Sequence, residues 1–511
     1  MSAGIYHATL NSTLSGVDCS PHVTVFRGIP YGSIPRRFAR CEPIHTYPRE
    51  LDCTQFGPRC PQLQLDVGCL LRIPPDISPR PENEDEYRCT NLDVFVPKLA
   101  TQDNGNGLPV LVWIHGDFKG GSQAVTFGSS ASGVCDMTAL VGNSVVMEKP
   151  VIAVTVQYRL NMFALGDGTG EKNLALHDQS SALTWVQQHI AGFGGDPTLD
   201  VCQARVTLAG ESAGAVYCHA HMVTGAPAQQ FALLSGSLHL SPPQPAHNVM
   251  ALRSSIRQKL QELSPDLDFS SASAAQIVHA IERSGVQSFF LEDDPIFAGW
   301  EKTVGTGRRL FLSDVQKESA IWQAGIHLLD DHDIIKAFDL AGDDSRKLKE
   351  LYHIHSGRSS SCRFGALDFI NDYKFVLPIH QIKRLWQNSD RLVFRYLVDE
   401  ANPWQPSSGA HHAVDLVLLF GGFGMATSAA AERTGQQMRS AWILFLNGES
   451  PWSPSTSDFA FGPYGVSSVL NREELGFRRR MAQIEFLDRT DKSSLDPVFR
   501  ALAAGRISLL N

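Results

Sequence analysis

The stretch Val206-Thr-Leu-Ala209, followed by Gly210-Glu211-Ser212-Ala213-Gly214-Ala215, constrains this chain more than any other. Its apolar, β-branched start reads as a buried strand, and its end leads into a helix-compatible segment. Glycines two residues before and after Ser212 permit a sharp strand-to-helix turn that a side chain would block. Such a turn lifts the serine hydroxyl clear of the sheet and sets the next backbone N–H beside it. With 42 glycines in 511 residues, a bare G-x-S-x-G means little by itself. Its place directly after a strand-like run removes most accidental matches, and no second copy competes. Ser212 therefore reads as a candidate nucleophile rather than a residue of an ordinary Gly-Ser turn.

Other runs share the buried-strand character: Val110-Leu-Val-Trp-Ile114, Val151-Ile-Ala-Val-Thr-Val156, Phe231-Ala-Leu-Leu234 and Leu392-Val-Phe-Arg-Tyr-Leu-Val398. Strands of this kind are covered on both faces, as in parallel sheets. Between them, Leu183, Val186 and Ile190, and again Met438, Ala441, Trp442 and Phe445, fall at helical spacings of three and four. Alternation of this sort predicts an α/β protein with a mostly parallel central sheet flanked by helices. Length alone would allow about three domains. No linker is visible, so a single domain over residues 1–511 is expected. Residues 242–380, more helical and charged, are expected to form a cap or side lobe over the sheet.

A net charge of -9 disfavours nucleic acid as a partner, because phosphate binding needs a basic field. The run Arg478-Arg479-Arg480 is expected on a solvated helix face. The start, Met1 to Leu10, has no basic n-region or apolar core of a signal peptide, and no later stretch is long and apolar enough for a membrane span. A cytoplasmic location is the expectation. Ten cysteines are too few for a disulfide scaffold. Asp330-Asp-His-Asp333 and His353-Ile-His355 match no closed ligand set, so neither a metal nor another cofactor is expected. Cys218 reads as packing on the helix after Ser212.

From the turn outward, the sequence resembles the type-B carboxylesterases, the cholinesterase-like branch of the α/β-hydrolase fold. Phe193-Gly-Gly-Asp-Pro197 with Val206 to Ala215 is similar to that family's nucleophile block, with a longer segment between the two. Asn173-Leu-Ala-Leu-His-Asp-Gln179 resembles the preceding helix. Val156-Gln-Tyr-Arg-Leu160, Leu234-Ser-Gly-Ser237 and Gly28-Ile-Pro-Tyr31 complete the framework. The resemblance implies an α/β-hydrolase fold with helical cap insertions. Cys60 and Cys89 match positions that form a disulfide in secreted members and would stay reduced in the cytosol. The acidic signature before Cys89 is altered to Glu86-Tyr87-Arg88.

A serine needs a base to take its proton and an acid to orient that base. Composition cannot choose among 18 histidines. The resemblance can: Gly409-Ala-His-His-Ala-Val-Asp415 is similar to the family's histidine segment, in which an acidic residue follows three positions after the catalytic histidine. That spacing selects His412, with Asp415, over His411, which is left as a solvent-exposed loop residue. Ser313-Asp-Val-Gln-Lys-Glu-Ser319 resembles the acid segment and implies the carboxylate role for Glu318. Glu211 resembles a buried glutamate that stabilises the imidazolium without receiving its proton.

The tetrahedral intermediate needs N–H donors for its oxyanion. Ala213 follows the serine and supplies one. The family's other donors come from a His-Gly-Gly-Gly-Phe loop, which reads Trp113-Ile-His-Gly-Asp-Phe-Lys-Gly-Gly-Ser122 here, one residue shorter. Aligning Phe118 puts Gly116 and Asp117 at the donor positions. In one reading Gly120 and Gly121 restore the loop's path and Asp117 points outward; in the other, the chemistry has shifted to an unusual substrate or a non-hydrolytic reaction. The implied function is a serine carboxylic-ester hydrolase acting on a small-molecule ester through an acyl-enzyme. The alternatives are an acyltransferase, lyase or cyclase of specialised metabolism, and a catalytically silent, cholinesterase-like binding protein.

Overall fold

The computed structural model describes residues 2–64, 66–77, 79–99, 107–118, 125–126, 130–168, 171–197, 206–286, 288–453 and 458–506. Its centre is one large, twelve-stranded run of sheet: β1 (Ser2–His7), β2 (Ser12–Ser20), β3 (Val23–Pro30), β4 (Asn91–Pro97), β5 (Val110–Ile114), β6 (Ile152–Val156), β7 (Val206–Glu211), β8 (Gln230–Leu234), β9 (Arg309–Val315), β10 (Leu392–Val398), β11 (Asp458–Phe461) and β12 (Ser467–Leu470). The spatial order is β1-β2-β3-β4-β6-β5-β7-β8-β9-β10-β11-β12, with the short strand Glu50–Asp52 beside β2. From β6 through β11 every pairing is parallel. Antiparallel ribbons close both edges.

The parallel strands run through the core because both their faces are covered. In β5, Leu111 and Trp113 enter one apolar cluster and Val110, Val112 and Ile114 the other. Helices α1 (Leu174–His189) and α2 (Ala213–Thr224) contribute to the second cluster, while α7 (Val414–Phe420) and α8 (Ala429–Leu446) contribute to the first. Residues 242–380 do not form one helical lobe. Helices α3 (Ala246–Leu263) and α4 (Ala274–Ser284) precede β9, a buried strand of the central sheet, and α5 (Ser359–Asn371) and α6 (Leu377–Gln387) follow it.

The framework motifs turn out to bind one another. Arg159 and Asp178, from two separate motifs, form a buried ion pair at 2.7 Å, and Arg159 also donates to the Ala39 carbonyl. The Gly28 N–H donates to Asp93 at 2.8 Å, and the Tyr31 hydroxyl donates to the Gln157 carbonyl at 2.8 Å. Glu86 of the altered acidic signature accepts two hydrogen bonds of 2.5 Å from Arg37.

The expectation for Arg478-Arg479-Arg480 is corrected. Arg479 is 1% exposed and pairs with Asp314 of β9 and, at 2.8 Å, with Asp399. Arg478 reaches the other oxygen of Asp399 at 2.8 Å, and Arg480 meets Asp372 and Asp368. The run therefore fastens the C-terminal helices to the sheet through Asp314 and Asp399, at the ends of β9 and β10, and to the helical segment around Asn371 through Asp368 and Asp372. Burial pushes the Asp314 carboxyl up, but the Arg479 and Arg395 charges outweigh it and hold the carboxyl below its usual value.

Removing one partner leaves the other charge buried, which costs about 3–5 kcal/mol. Arg479→Met should lose that much in urea denaturation at pH 7; a loss under about 1 kcal/mol would contradict the tether. Because the folded pKa of Asp314 is lowered, its contribution is full above the ordinary carboxyl pKa and fades as pH falls through the lowered one.

Candidate active site

The site lies at the carboxyl ends of the parallel strands, where loops converge in open α/β sheets. Ser212 ends β7 and opens α2 with φ 55° and ψ -120°. That backbone is strained for a serine and persists only where the surroundings impose it. Two glycines impose it here. A Cβ on Gly210 would lie 2.7 Å from the Ile114 carbonyl oxygen, and one on Gly214 would collide with that same atom. A Cβ on Gly236, in the loop after β8, would collide with the Ser212 carbonyl. Strand β5, helix α2 and this loop thus meet backbone against backbone.

The base and the acid arrive on neighbouring loops. The Lys317 N–H donates to the Ala410 carbonyl at 2.8 Å, and Lys317 bridges to His411, so the loops after β9 and β10 are zipped together. His412 Nε2 lies 3.0 Å from Ser212 Oγ, and His412 Nδ1 lies 2.6 Å from Glu318 Oε2. The carboxylate beside Nδ1 fixes the tautomer: Nδ1–H donates to Glu318 and Nε2 accepts from the serine hydroxyl. Glu211 Oε1 sits 3.3 Å from Nε2, where positive charge appears once the ring takes the serine proton. Glu211 and Glu318 are fully buried, and His412 is 2% exposed.

His411 is not an exposed loop residue. It is buried, its Nδ1 lies 2.9 Å from the His412 carbonyl oxygen, and its Nε2 lies 2.9 Å from Asn402 Nδ2. Asn402 Oδ1 accepts from the Trp404 and Gln405 N–H groups, which orients its amide so that Nδ2 donates. His411 is thus a neutral ring that braces the His412 backbone, and burial depresses its pKa to about 4.

Two residues that sequence reasoning missed hold the acid and base. The Glu318 N–H donates to Asn371 Oδ1 at 2.8 Å, and Glu318 Oε1 accepts from the Val315 N–H at 2.8 Å. Phe375 packs edge-on against the His412 ring at 5.6 Å. Asn371 ends α5, and Phe375 lies on the π-helical turn Asp372–Val376 that joins α5 to α6. Such turns often mark functional sites, but no local sequence signal announces this one.

Ala213 is the first residue of α2, so its N–H belongs to the set a helix leaves unpaired. Gly116 is buried beyond the end of β5, and its carbonyl lies 3.0 Å from His115 Nδ1; His115 stacks on Tyr158 at 4.3 Å. Asp117 pairs through its backbone with Thr126 in a two-stranded ribbon. The Asp117 side chain, Gly120 and Gly121, on which the two readings of the oxyanion loop turn, lie outside the described residues, as does the longer segment 198–205.

Among the described residues, no group of His, Cys, Asp and Glu has the arrangement of a metal site, and no helix is long and apolar enough to cross a membrane. Asp330 caps a helix through the Asp333 N–H, and Asp331 accepts from the Gly357 N–H. The Cys218 thiol is buried, and its pKa is pushed well up by that burial.

Parallel strands that deliver a serine, a carboxylate and a histidine from their carboxyl ends, in that chain order, define the α/β-hydrolase class. Within it the chain belongs to the carboxylesterase family, which matches residues 8–304. It is 28% identical to Lipase 1 of Yarrowia lipolytica over 501 residues, 94% of each chain. To the para-nitrobenzyl esterase of Bacillus subtilis it is 27% identical over 461 residues, 83% of this chain and 86% of that one. A solved PNB esterase superposes with a TM-score of 0.69 at 22% identity, covering 94% of this chain and all of the other.

Asp415 shares this buried site. Burial and the Glu318 charge push its carboxyl up to about 7, against a smaller pull from His412. A raised folded pKa means the native state binds the proton more tightly, so stability falls as pH rises from the ordinary carboxyl value through about 7. Asp415→Asn escapes that loss. In denaturation at pH 5 and pH 8, the variant should gain roughly 1–3 kcal/mol relative to the parent at the higher pH. A pH-independent difference would contradict the assignment.

Proposed function

We propose that this protein hydrolyses small carboxylic esters through a covalent acyl-enzyme formed on Ser212. The observation that carries this reading is the unbroken relay of Ser212 Oγ, His412 and Glu318, at 3.0 and 2.6 Å. Ser212 Oγ attacks the acyl carbon while His412 Nε2 takes its proton. Glu318 holds the imidazolium through Nδ1, and Glu211 supplies a second negative charge at 3.3 Å from Nε2. The developing oxyanion is met by the Ala213 N–H and by the backbone of Gly116 and Asp117; a single such donor is worth about 100- to 1000-fold in turnover. The imidazolium returns its proton to the departing alcohol. Water, activated by the same Nε2, then adds to the acyl-enzyme and releases the acid and free Ser212. No step calls on a metal or an organic cofactor.

The lipase and esterase named above favour water as the acyl acceptor. Transfer to another acceptor, elimination and cyclisation have no comparable support. A silent binding role is disfavoured by the intact relay.

Kinetics on p-nitrophenyl butyrate test the roles. Ser212→Ala should lower kcat by at least about 10⁴-fold, and Glu318→Gln by on the order of 10³- to 10⁴-fold. Retention of a tenth of the parent rate in either variant would overturn the assignment.

A cytoplasmic, reducing setting belongs to this reading. In that setting the thiols of Cys60 and Cys89 stay reduced. Alkylation of protein from freshly lysed cells should find both thiols free; a Cys60–Cys89 disulfide in that material would contradict the setting.

A further inference from the structure

A cavity of about 420 Å³ opens beside His412, with His411 and His412 among its lining residues. Its charged or titratable walls are otherwise Arg72, Lys317 and His327, and no Asp or Glu is among the described residues that line it. This is unusual for a chain with nine more acidic than basic side chains. Elsewhere the guanidinium groups of Arg37, Arg159, Arg479 and Arg480 each meet a carboxylate. Arg72 has no ion pair among the described residues: Nη1 donates to the Cys69 carbonyl at 3.1 Å, and the buried Nε makes no hydrogen bond. Lys317 has no ion pair there either.

Both cations are held by backbone that belongs to the site. Arg72 ends the short helix Val67–Leu71 in a left-handed conformation. Lys317 directly precedes Glu318 and is bridged to His411. Both charges reach His411, since after burial Arg72 and Lys317 are among the influences that lower its pKa. Arg72 is partly buried with its Nε shut off from solvent, and two cations beside one cavity gain most when a ligand supplies the missing negative charge.

We propose that this cavity receives a carboxylate borne by the substrate, so that the enzyme prefers esters carrying a second, ionised acid group over neutral esters of the same length. The inference rests on the hydrolytic reading above. In it, Arg72 and Lys317 clamp the free carboxylate while the ester carbonyl lies at Ser212.

The test compares monoethyl adipate with ethyl hexanoate, two esters of matched chain length that differ by one terminal carboxylate, with acid release followed by pH-stat. The parent enzyme should give a higher kcat/KM for monoethyl adipate than for ethyl hexanoate. Arg72→Gln and Lys317→Gln should each lower the ratio of the two values by about tenfold, the worth of one charge-assisted hydrogen bond. The double variant should lower it further, and raised salt should lower it in the parent. Lys317 is exposed, so its variant remains informative if that at Arg72 fails to fold. An unchanged ratio in Lys317→Gln, or a parent that does not favour monoethyl adipate, overturns the proposal while Ser212-dependent hydrolysis of ethyl hexanoate stands. A parent that hydrolyses neither ester through Ser212 overturns the catalytic reading and this inference together.

Discussion

Backbone meets backbone at the turn around Ser212, and the site follows from that contact. Gly210 and Gly214 let β7 and α2 close onto the Ile114 carbonyl, and Gly236 lets the loop after β8 touch the Ser212 carbonyl. Any side chain at these positions would push the elements apart. The approach forces Ser212 to φ 55°, a strain of roughly 1–3 kcal/mol. The surrounding buried strands and the helix that begins at Ala213 offset it. The same contact seats Gly116, just beyond Ile114 and His115, next to the first turn of α2. One steric constraint therefore raises the serine hydroxyl at the start of α2 and packs the end of β5 against that helix.

Around that turn the structure concentrates negative charge on one imidazole. Glu318 and Glu211 both lie within 3.3 Å of ring nitrogens of His412, and Asp415 is buried close by. Three buried carboxylates cannot all ionise at low cost. The raised pKa of Asp415 relieves the conflict: that carboxyl holds its proton more readily, and the two glutamates face the ring. The Arg478 to Arg480 run ties down Asp314, Asp399 and Asp372 nearby in the fold. Asp372 belongs to the π-helical turn that carries Phe375 onto His412.

Much of this was legible in the sequence where the signal is local. The runs at Val110, Val151, Val206, Phe231 and Leu392 are parallel strands because their residues are apolar on both faces. Strand β9 escaped notice because Arg309-Leu-Phe-Leu-Ser-Asp-Val315 is a short apolar core between polar ends in a stretch otherwise rich in helices. The N-terminal ribbons escaped because β2 alternates buried with partly exposed residues, many of them polar. Ser212 was readable from its turn alone. Glu318 and His412 needed the family resemblance, since composition offers 53 acidic residues and 18 histidines. Interactions between distant segments were not readable. The burial of Arg479 depends on Asp314, the bracing role of His411 on the orientation of Asn402, and the support of Glu318 on Asn371, 53 residues away.

The central claim is that Ser212 carries the acyl group. Rapid quenching of the enzyme with p-nitrophenyl butyrate, followed by intact-mass and peptide analysis, reads that directly. The account predicts a transient butyryl adduct confined to the peptide containing Ser212 and absent from Ser212→Ala. Ester turnover with no adduct under any quench time, or an adduct on another residue, would contradict it.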